Sequence, residues 1–396
     1  MSQDKRFEGG ADKTEALAVT TLRTLAMDAV EKANSGHPGL PMGAADMAHV
    51  LWTRHLRFDS DDPQWPDRDR FILSAGHGCL LQYGLLHLAG YDLSIDDLKQ
   101  FRQWGSKTPG HPEHGHTPGV ETTTGPLGQG FGNGVGMAIA EAMLAARVNG
   151  AEHQVVDHRT YVLASDGDLM EGVASEAASL AGHLKLHRLI VLYDDNRITI
   201  DGATSLAWSE DVGARFQAYG WHVNHVDGHD RAAIDAALTA AKKSVDRPSL
   251  IVARTHIGFG SPRKQDTEEA HGSPLGADEV RATKKVYGWP EDSSFLVPEE
   301  VREFWRVVSD RGRAAHAEWR ARFEAWRAAD AAGAKLWDAL HASELPSGWS
   351  EGAPTFPADA KGMATRAASG KMIQWLAGVL PQFVGGSADL APSNKT

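Results

Sequence analysis

"VLASDGDLMEG", residues 162–172, is an apolar run that stops on two aspartates around a glycine. A buried strand ending this way aims acids at one place, and Asp166, Asp168 and Glu171 fall within six residues. They either hold a cation or cap the following helix, because aspartate at a helix start accepts from free backbone N–H groups. Outward from this stretch the chain alternates. "FILS" (71–74), "TYVLAS" (160–165), "RLIVLYD" (188–194), "WHVNHVD" (221–227) and "PSLIVART" (248–255) read as strands. Helical patterns cover 14–33, 79–90, roughly 171–184, 210–220 and 231–244. That alternation predicts α/β architecture: a doubly wound parallel sheet with helices on both faces. Such sheets bind ligands beyond the carboxyl ends of their strands, where the opening stretch lies.

Composition narrows the function classes. Hydrophobic residues make up 42 % and charged residues 23 % of 396 residues, as in ordinary globular proteins. No apolar run reaches the length of a membrane span, and "MSQDKRFEGG" lacks the apolar stretch of a secretory signal. The single cysteine, Cys79, excludes an internal disulfide and a Cys-based zinc site, and suits a cytoplasmic location. A net charge of −12 argues against nucleic acid and acidic membranes as partners, though not against phosphorylated metabolites.

A second acidic cluster, Asp194, Asp195 and Asn196, ends the following strand in "YDDNRIT". If the two strands are neighbours, Asp166 and Asn196 converge at one sheet edge. Carboxylate, amide and backbone oxygen form a hard donor set that selects Mg²⁺ or Ca²⁺ over zinc or copper. Capping by Asp168 and a turn at Asp195–Asn196 is the competing reading. "HPEHGH" (111–116) has three histidines in a Pro/Gly loop but no fourth zinc ligand at regular spacing. The glycines of "TTTGPLGQGFGNGVG" (122–136) match neither GxGxxG nor GxxxxGK, so they signal close backbone approach and no named phosphate motif. "SGHPG", "LSAGHG", "TPGHPE" and "EEAHGS" each set a histidine in a Gly/Pro loop: His37, His77, His111 and His271. A doubly wound fold would gather these loops at one edge, where imidazoles can donate to phosphate or sugar oxygens and move protons near neutral pH.

From about 298 the chain turns helical and Trp-rich, with Trp319, Phe323 and Trp326 at i, i+4, i+7, a packing stripe. A Pro/Gly/Ser-rich linker (343–357) follows, then a segment from about 360 that reads as one helix and one strand, too short for a core of its own.

The spacing of Asp166–Gly167 to Asn196, with 28 residues between, resembles the motif through which enzymes bind thiamine diphosphate by way of a divalent metal. Together with "TTGPLGQG", "SLAGHLKL", "DDNRITIDGAT", "QAYGWHV", "GGSADLAPSNKT" and the histidine loops, it makes almost the whole chain similar to the transketolases. The resemblance implies a thiamine-diphosphate-binding fold over 1–325, a linker over 326–359 and an incomplete start of a pyrimidine-binding domain over 360–396. It implies transfer of a two-carbon ketol unit from a ketose phosphate to an aldose phosphate, as in the pentose phosphate pathway and Calvin cycle, by a homodimer.

Residue by residue, the resemblance implies that Asp166, Asn196 and the Ile198 carbonyl bind Mg²⁺ (or Ca²⁺ or Mn²⁺), with Gly167 beside them. Gly125 and Leu127 would touch the aminopyrimidine and centre of the cofactor, and His77 and His271 its diphosphate. His37, His111 and His271 would line the approach to the thiazolium, bind the donor's hydroxyls and help move protons. Glu171 would join a proton network at the subunit interface. Arg366 and Ser393 fall where the family binds the substrate's phosphate, Asp389 and Leu390 where its second domain meets the cofactor. Ser165 stands where the family commonly has Gly, which is expected to shift a hydrogen bond without losing the site. The family's second domain, with the glutamate that protonates the aminopyrimidine, is expected to continue past Thr396, so the chain by itself is expected to be inactive. Dihydroxyacetone synthase, 1-deoxyxylulose-5-phosphate synthase and a non-catalytic cofactor-binding fragment are the alternatives.

Overall fold

Strands covered on both faces need near-continuous apolar sequence, and the three central ones have it. The structure, a computed structural model, describes residues 11–342 and 344–396. The N-terminal stretch 1–10 and Ser343, assigned from sequence to the first domain and the linker, lie outside the described residues. The strands are β1 (Arg70–Leu73), β2 (Thr160–Ser165), β3 (Leu189–Asp195), the short β4 (Ile198–Thr199) and β5 (Gly202–Ala203), β6 (His222–Asp227) and β7 (Ser249–Arg254). Five of them form one parallel sheet in the order β1-β2-β3-β7-β6, while β4 and β5 make a small antiparallel hairpin. All five strands expected from sequence are present, with ends within one or two residues.

The helices are α1 (Ala11–Ala33), α2 (Gly39–Gly43), α3 (Ala45–Val50), α4 (Cys79–Leu88), α5 (Ile95–Lys99), α6 (Gln129–Val148), α7 (Asp166–Met170), α8 (Gly172–His183), α9 (Val212–Ala218), α10 (Arg231–Lys242), α11 (Ala277–Val286) and α12 (Glu299–Ala329). Strand side chains alternate between two cores, as the pleat requires. Tyr161, Leu163, Ile190, Leu192 and Ile251 pack with Leu22 of α1, Leu81 of α4 and Ile234 of α10. Val162, Ala164, Val191, Tyr193 and Val252 pack with Phe131 of α6, Ala178 of α8 and Phe216 of α9. Among the described residues, no helix is long and apolar enough to cross a membrane.

Two compact units divide the chain. The first comprises residues up to Leu144 and Val156–Trp319, the second Ala145–Val155 and Arg320–Thr396. The aromatic stripe is core in each: Trp319 packs on Trp65 in the first, while Phe323 and Trp326 pack on Trp337 in the second. The second unit adds α13 (Ala331–His341), capped by Asp330, then α14 (Thr365–Val379) and α15 (Ala391–Asn394). Residues 344–364 have no regular structure. The strand expected after α14 is not formed, and 380–390 run as turns and loop. A single strand has no ladder partner for its backbone groups, so extended pairing gains nothing there.

The glycine run of α6 is explained by contact with the sheet. A Cβ on Gly130 would lie 2.5 Å from the Ser74 Cα, and one on Gly134 would lie 2.4 Å from Val162 Cγ2. Gly136, by contrast, has nothing within 4 Å. Gly130→Ala therefore forces a backbone shift and is expected to destabilise the chain by about 1–3 kcal/mol in denaturant unfolding. An unchanged midpoint would show that α6 can lift off the sheet without cost.

Candidate functional site

Of the two aspartates that follow β2, Asp168 is the cap. It is fully buried in the first turn of α7, and its carboxylate accepts four hydrogen bonds. Oδ1 takes the Ser74 hydroxyl at 2.8 Å and the Gly128 N–H at 2.9 Å. Oδ2 takes the Ser165 N–H at 3.0 Å and, more weakly, its hydroxyl at 3.4 Å. Ser74 in turn accepts the Phe131 N–H at 2.9 Å. One side chain thus ties together the loops after β1 and β2 and the start of α6. It is a lock and a cap. Ser165 adopts extended backbone at φ −123°, which any residue tolerates, so its side chain is accommodated without strain.

Asp166 behaves differently. The register pairs Ser165 with Asp194, so the ends of β2 and β3 are neighbours. The 196–198 loop folds onto Asp166: Oδ2 accepts the Arg197 N–H at 2.9 Å, and Oδ1 accepts the Tyr193 hydroxyl at 2.5 Å. Asn196 donates from Nδ2 to Asp194 Oδ2 at 2.8 Å, while its Oδ1 accepts the Ile198 N–H at 2.9 Å. Asp166 is 2 % exposed and Asp194 1 %, and among the described residues neither forms an ion pair. Burial pushes Asp166 up to about 7; the Tyr193 hydroxyl opposes the shift and the carboxylates of Asp194 and Asp195 add to it. Asp194 is pushed up to about 6, again by burial first. These are acids held where charge is costly; His229 eases the charge on Asp194, whereas no basic group among the described residues does so for Asp166.

The four loop histidines come together beside them. The His37 ring lies 5.1 Å from His77, 6.5 Å from His111 and 5.7 Å from His271, and His77 stacks on His271 at 4.9 Å. Close glycine packing brings the loops in. A Cβ on Gly39 would meet the Ala270 carbonyl at 2.5 Å, one on Gly76 would meet Gly125 N at 2.8 Å, and Gly125 (φ +147°) lies under the His111 ring. The His111 loop hangs from α4: Tyr83 donates to the carbonyls of Pro109 (2.9 Å) and His111 (3.1 Å), and the buried Cys79 thiol to Gly110 at 3.2 Å. Burial lowers all four histidines, His37 to about 4 with help from His271, Arg102 and His111, and His77 well below its usual value. All are therefore neutral at pH 7. His114 and His116 instead direct a ring nitrogen to the carbonyls of Val120 and Ser106.

A cleft of about 400 Å³ joins the two sets. It is lined by His77, Leu127, Ser165, Gly167, Glu171, Asn196, Ile198 and His271, with Leu40, Met170, Ile200, Leu206 and Ile257 as apolar walls. Asp166 sits behind this wall, on a cavity of about 300 Å³ shared with Tyr193, Asp195 and Arg197. Glu171 is exposed at the rim, at the N-cap of α8. Arg366, Asp389, Leu390 and Ser393 belong to the second unit, where all four are exposed. Sequence reasoning missed Ser74, Gly128, Tyr193, Thr255 and Arg102, whose guanidinium reaches Ser35 Oγ at 2.7 Å and His37 Nδ1 at 3.4 Å. The apolar walls were missed as well. Ser74 sat in view inside "LSAGHG", but nothing in a string of residues says that a serine faces Asp168 ninety-four positions away.

With this geometry in hand, comparison with known proteins is consistent. The family model for the transketolase thiamine diphosphate binding domain matches residues 14–346. A transketolase of Geobacillus stearothermophilus is 54 % identical over 388 residues, 98 % of this chain and 58 % of that protein. The chloroplastic transketolase of Zea mays is 53 % identical over 397 residues, again 98 % of this chain and 58 % of that protein. The crystal structure of Pichia stipitis transketolase in complex with sedoheptulose-7-phosphate matches with a TM-score of 0.92 at 47 % identity, over 96 % of this chain and 56 % of that one. The chain spans less than three-fifths of the length of these relatives.

The raised carboxyl of Asp166 has a measurable sign. Its value in the folded chain lies above the ordinary 3.8, so between about pH 4 and 7 the folded state binds more protons than the unfolded. Stability then falls as pH rises through that window. Asp166→Asn is expected to make the ligand-free chain more stable at pH 8 by about 1–3 kcal/mol, with little effect at pH 4. Denaturant unfolding at the two pH values tests this; equal effects at both would refute it.

Proposed function

The chain belongs to the transketolase family, and on that premise we propose that it holds the diphosphate of thiamine diphosphate through a divalent cation, in a protein that transfers a two-carbon ketol unit between sugar phosphates. One observation carries this reading. Asp166, buried and with no basic partner among the described residues, accepts the Arg197 N–H from the loop that carries the Asn196 amide and the Ile198 carbonyl, at the edge where four neutral imidazoles meet. The donor set is all oxygen, which suits Mg²⁺, Ca²⁺ or Mn²⁺. The residues fit the group in a second way: His271 Nδ1 is buried without a partner, as a nitrogen kept for a ligand would be.

When bound, thiamine diphosphate supplies the nucleophilic carbon and the electron sink. This chain's residues supply position and protons. Asp166, Asn196 and the Ile198 carbonyl would hold the cation, with Gly167 leaving room for the diphosphate. His77 and His271, both neutral, would donate to diphosphate oxygens. Gly125 and Leu127 would lie against the cofactor's body. Arginine only donates, so the Arg102 contact marks His37 Nδ1 as the acceptor and leaves the proton on Nε2. His37 thereby faces a sugar hydroxyl as a donor, leaving His111 or His271 to accept the hydroxyl proton. Arg366 and Ser393 would take the substrate's phosphate, and Asp389 and Leu390 the cofactor's far side. Titration calorimetry with thiamine diphosphate and Mg²⁺ tests the reading directly. Binding is expected for the parent, at least 100-fold weaker binding for Asp166→Ala, and none for thiamine lacking its diphosphate. Equal affinity for thiamine would overturn it.

We further propose self-association through the outer face of α6 and α8. Val173 and Leu180 of α8 and Leu184 at its C-cap recur on one face and are 38–45 % exposed, and a Cβ on Gly132 of α6 would lie 4.0 Å from Val173 Cγ2. The occupant is a second copy of the chain, which brings Glu171 to the subunit boundary. Leu180→Glu is expected to weaken dimerisation at least tenfold in sedimentation without lowering monomer stability. A dimer unaffected by this change would place the interface elsewhere.

A further inference from the structure

An asparagine that binds a cation has a weakness that an aspartate lacks. Turned half-way about its last side-chain bond, its amide presents N–H donors where it had presented oxygen. Two contacts bear on which way Asn196 points. The Ile198 N–H, 2.9 Å from Oδ1, belongs to the same loop and moves with it. Asp194, whose Oδ2 lies 2.8 Å from Asn196 Nδ2, belongs to the central strand β3 and is paired in register with Ser165 and Ala253. A carboxylate accepts and does not donate, so the atom facing it must be the nitrogen. Asp194 is itself restrained: its Oδ1 accepts the Thr255 hydroxyl from the residue following β7. With both oxygens engaged, it has little freedom to turn. We propose that Asp194, anchored by Thr255, is the positioning residue that sets the Asn196 amide so that its oxygen, with one lone pair on the Ile198 N–H, keeps the other for the cation. The proposal rests on the cofactor reading above and adds a role for two residues outside the ligand set.

Such a role separates from simple structural support by what restores function. Mn²⁺ uptake in the presence of thiamine diphosphate, followed by electron paramagnetic resonance on the full 396-residue chain, is the readout. Asp194→Asn presents either amide atom to Asn196 and is expected to lower Mn²⁺ affinity about 10–100-fold, without a lower unfolding temperature for the ligand-free chain. The swapped pair Asp194→Asn with Asn196→Asp keeps the same charge, and the carboxylate it introduces in the loop has two equivalent oxygens, so a half-turn changes nothing. The pair is expected to bind Mn²⁺ within one order of magnitude of the parent. If Asp194→Asn alone proves unstable, Thr255→Val carries the test, with an expected several-fold loss of affinity. Parent-like Mn²⁺ affinity in Asp194→Asn or in Thr255→Val, or no recovery in the swapped pair, would overturn the proposal while leaving the cofactor reading intact. A parent chain that takes up no Mn²⁺ would overturn that reading and the proposal with it.

Discussion

The buried carboxylate of Asp168 is the constraint on which the rest of the edge depends. Ser74, Gly128 and Ser165 all donate to it, so the loops after β1 and β2 and the N-terminus of α6 share one anchor. Its burial opposes ionisation and raises its pKa, while the donors around it oppose that shift and hold the charged form. Remove the anchor and three separate segments lose their common reference, along with the peptide that delivers Asp166. The sheet makes the edge, but this interaction makes the edge rigid.

Most of the fold was legible because its signals are local. Four of the five strands are short, mainly apolar runs bounded by turn residues, β6 being the polar exception, and "DGDLMEG" and "YDDNRIT" mark by composition where two strands end. The four histidine loops were legible for the same reason. What could not be read was long-range: that Asp168 faces Ser74, that Tyr193 reaches Asp166, that Thr255 holds Asp194. Tyr193 looks in sequence like one more apolar strand residue. The strand expected after α14 illustrates the converse, a local propensity that fails where, among the described residues, no neighbouring strand lies in its unit to hydrogen bond.

Asp168 and Asp166 are arranged by opposite electrostatic logic, though both are buried aspartates two positions apart. Asp168 is surrounded by four donors; Asp166 has two and no basic group among its neighbours in the described residues. A site of this kind weakens the empty protein and strengthens the loaded one, because a species that binds only the native state adds its binding energy to folding. The alternating pleat serves this arrangement. Consecutive residues of β3, Tyr193 and Asp194, turn to opposite faces and reach different partners, Asp166 and Asn196. One strand end thus addresses two residues of the candidate site at once.

The placement of Cys79 has a consequence for how the molecule can be handled. Its thiol is completely buried, donates to the Gly110 carbonyl and is pushed up to about 12 by burial. Thiolate, the reactive form, is therefore almost absent at neutral pH. Since the sequence has no other cysteine, the native chain presents no reactive sulfhydryl to oxidants or maleimides. A cysteine introduced at an exposed position, for instance in place of Val245, would be the sole target for a fluorophore or spin label.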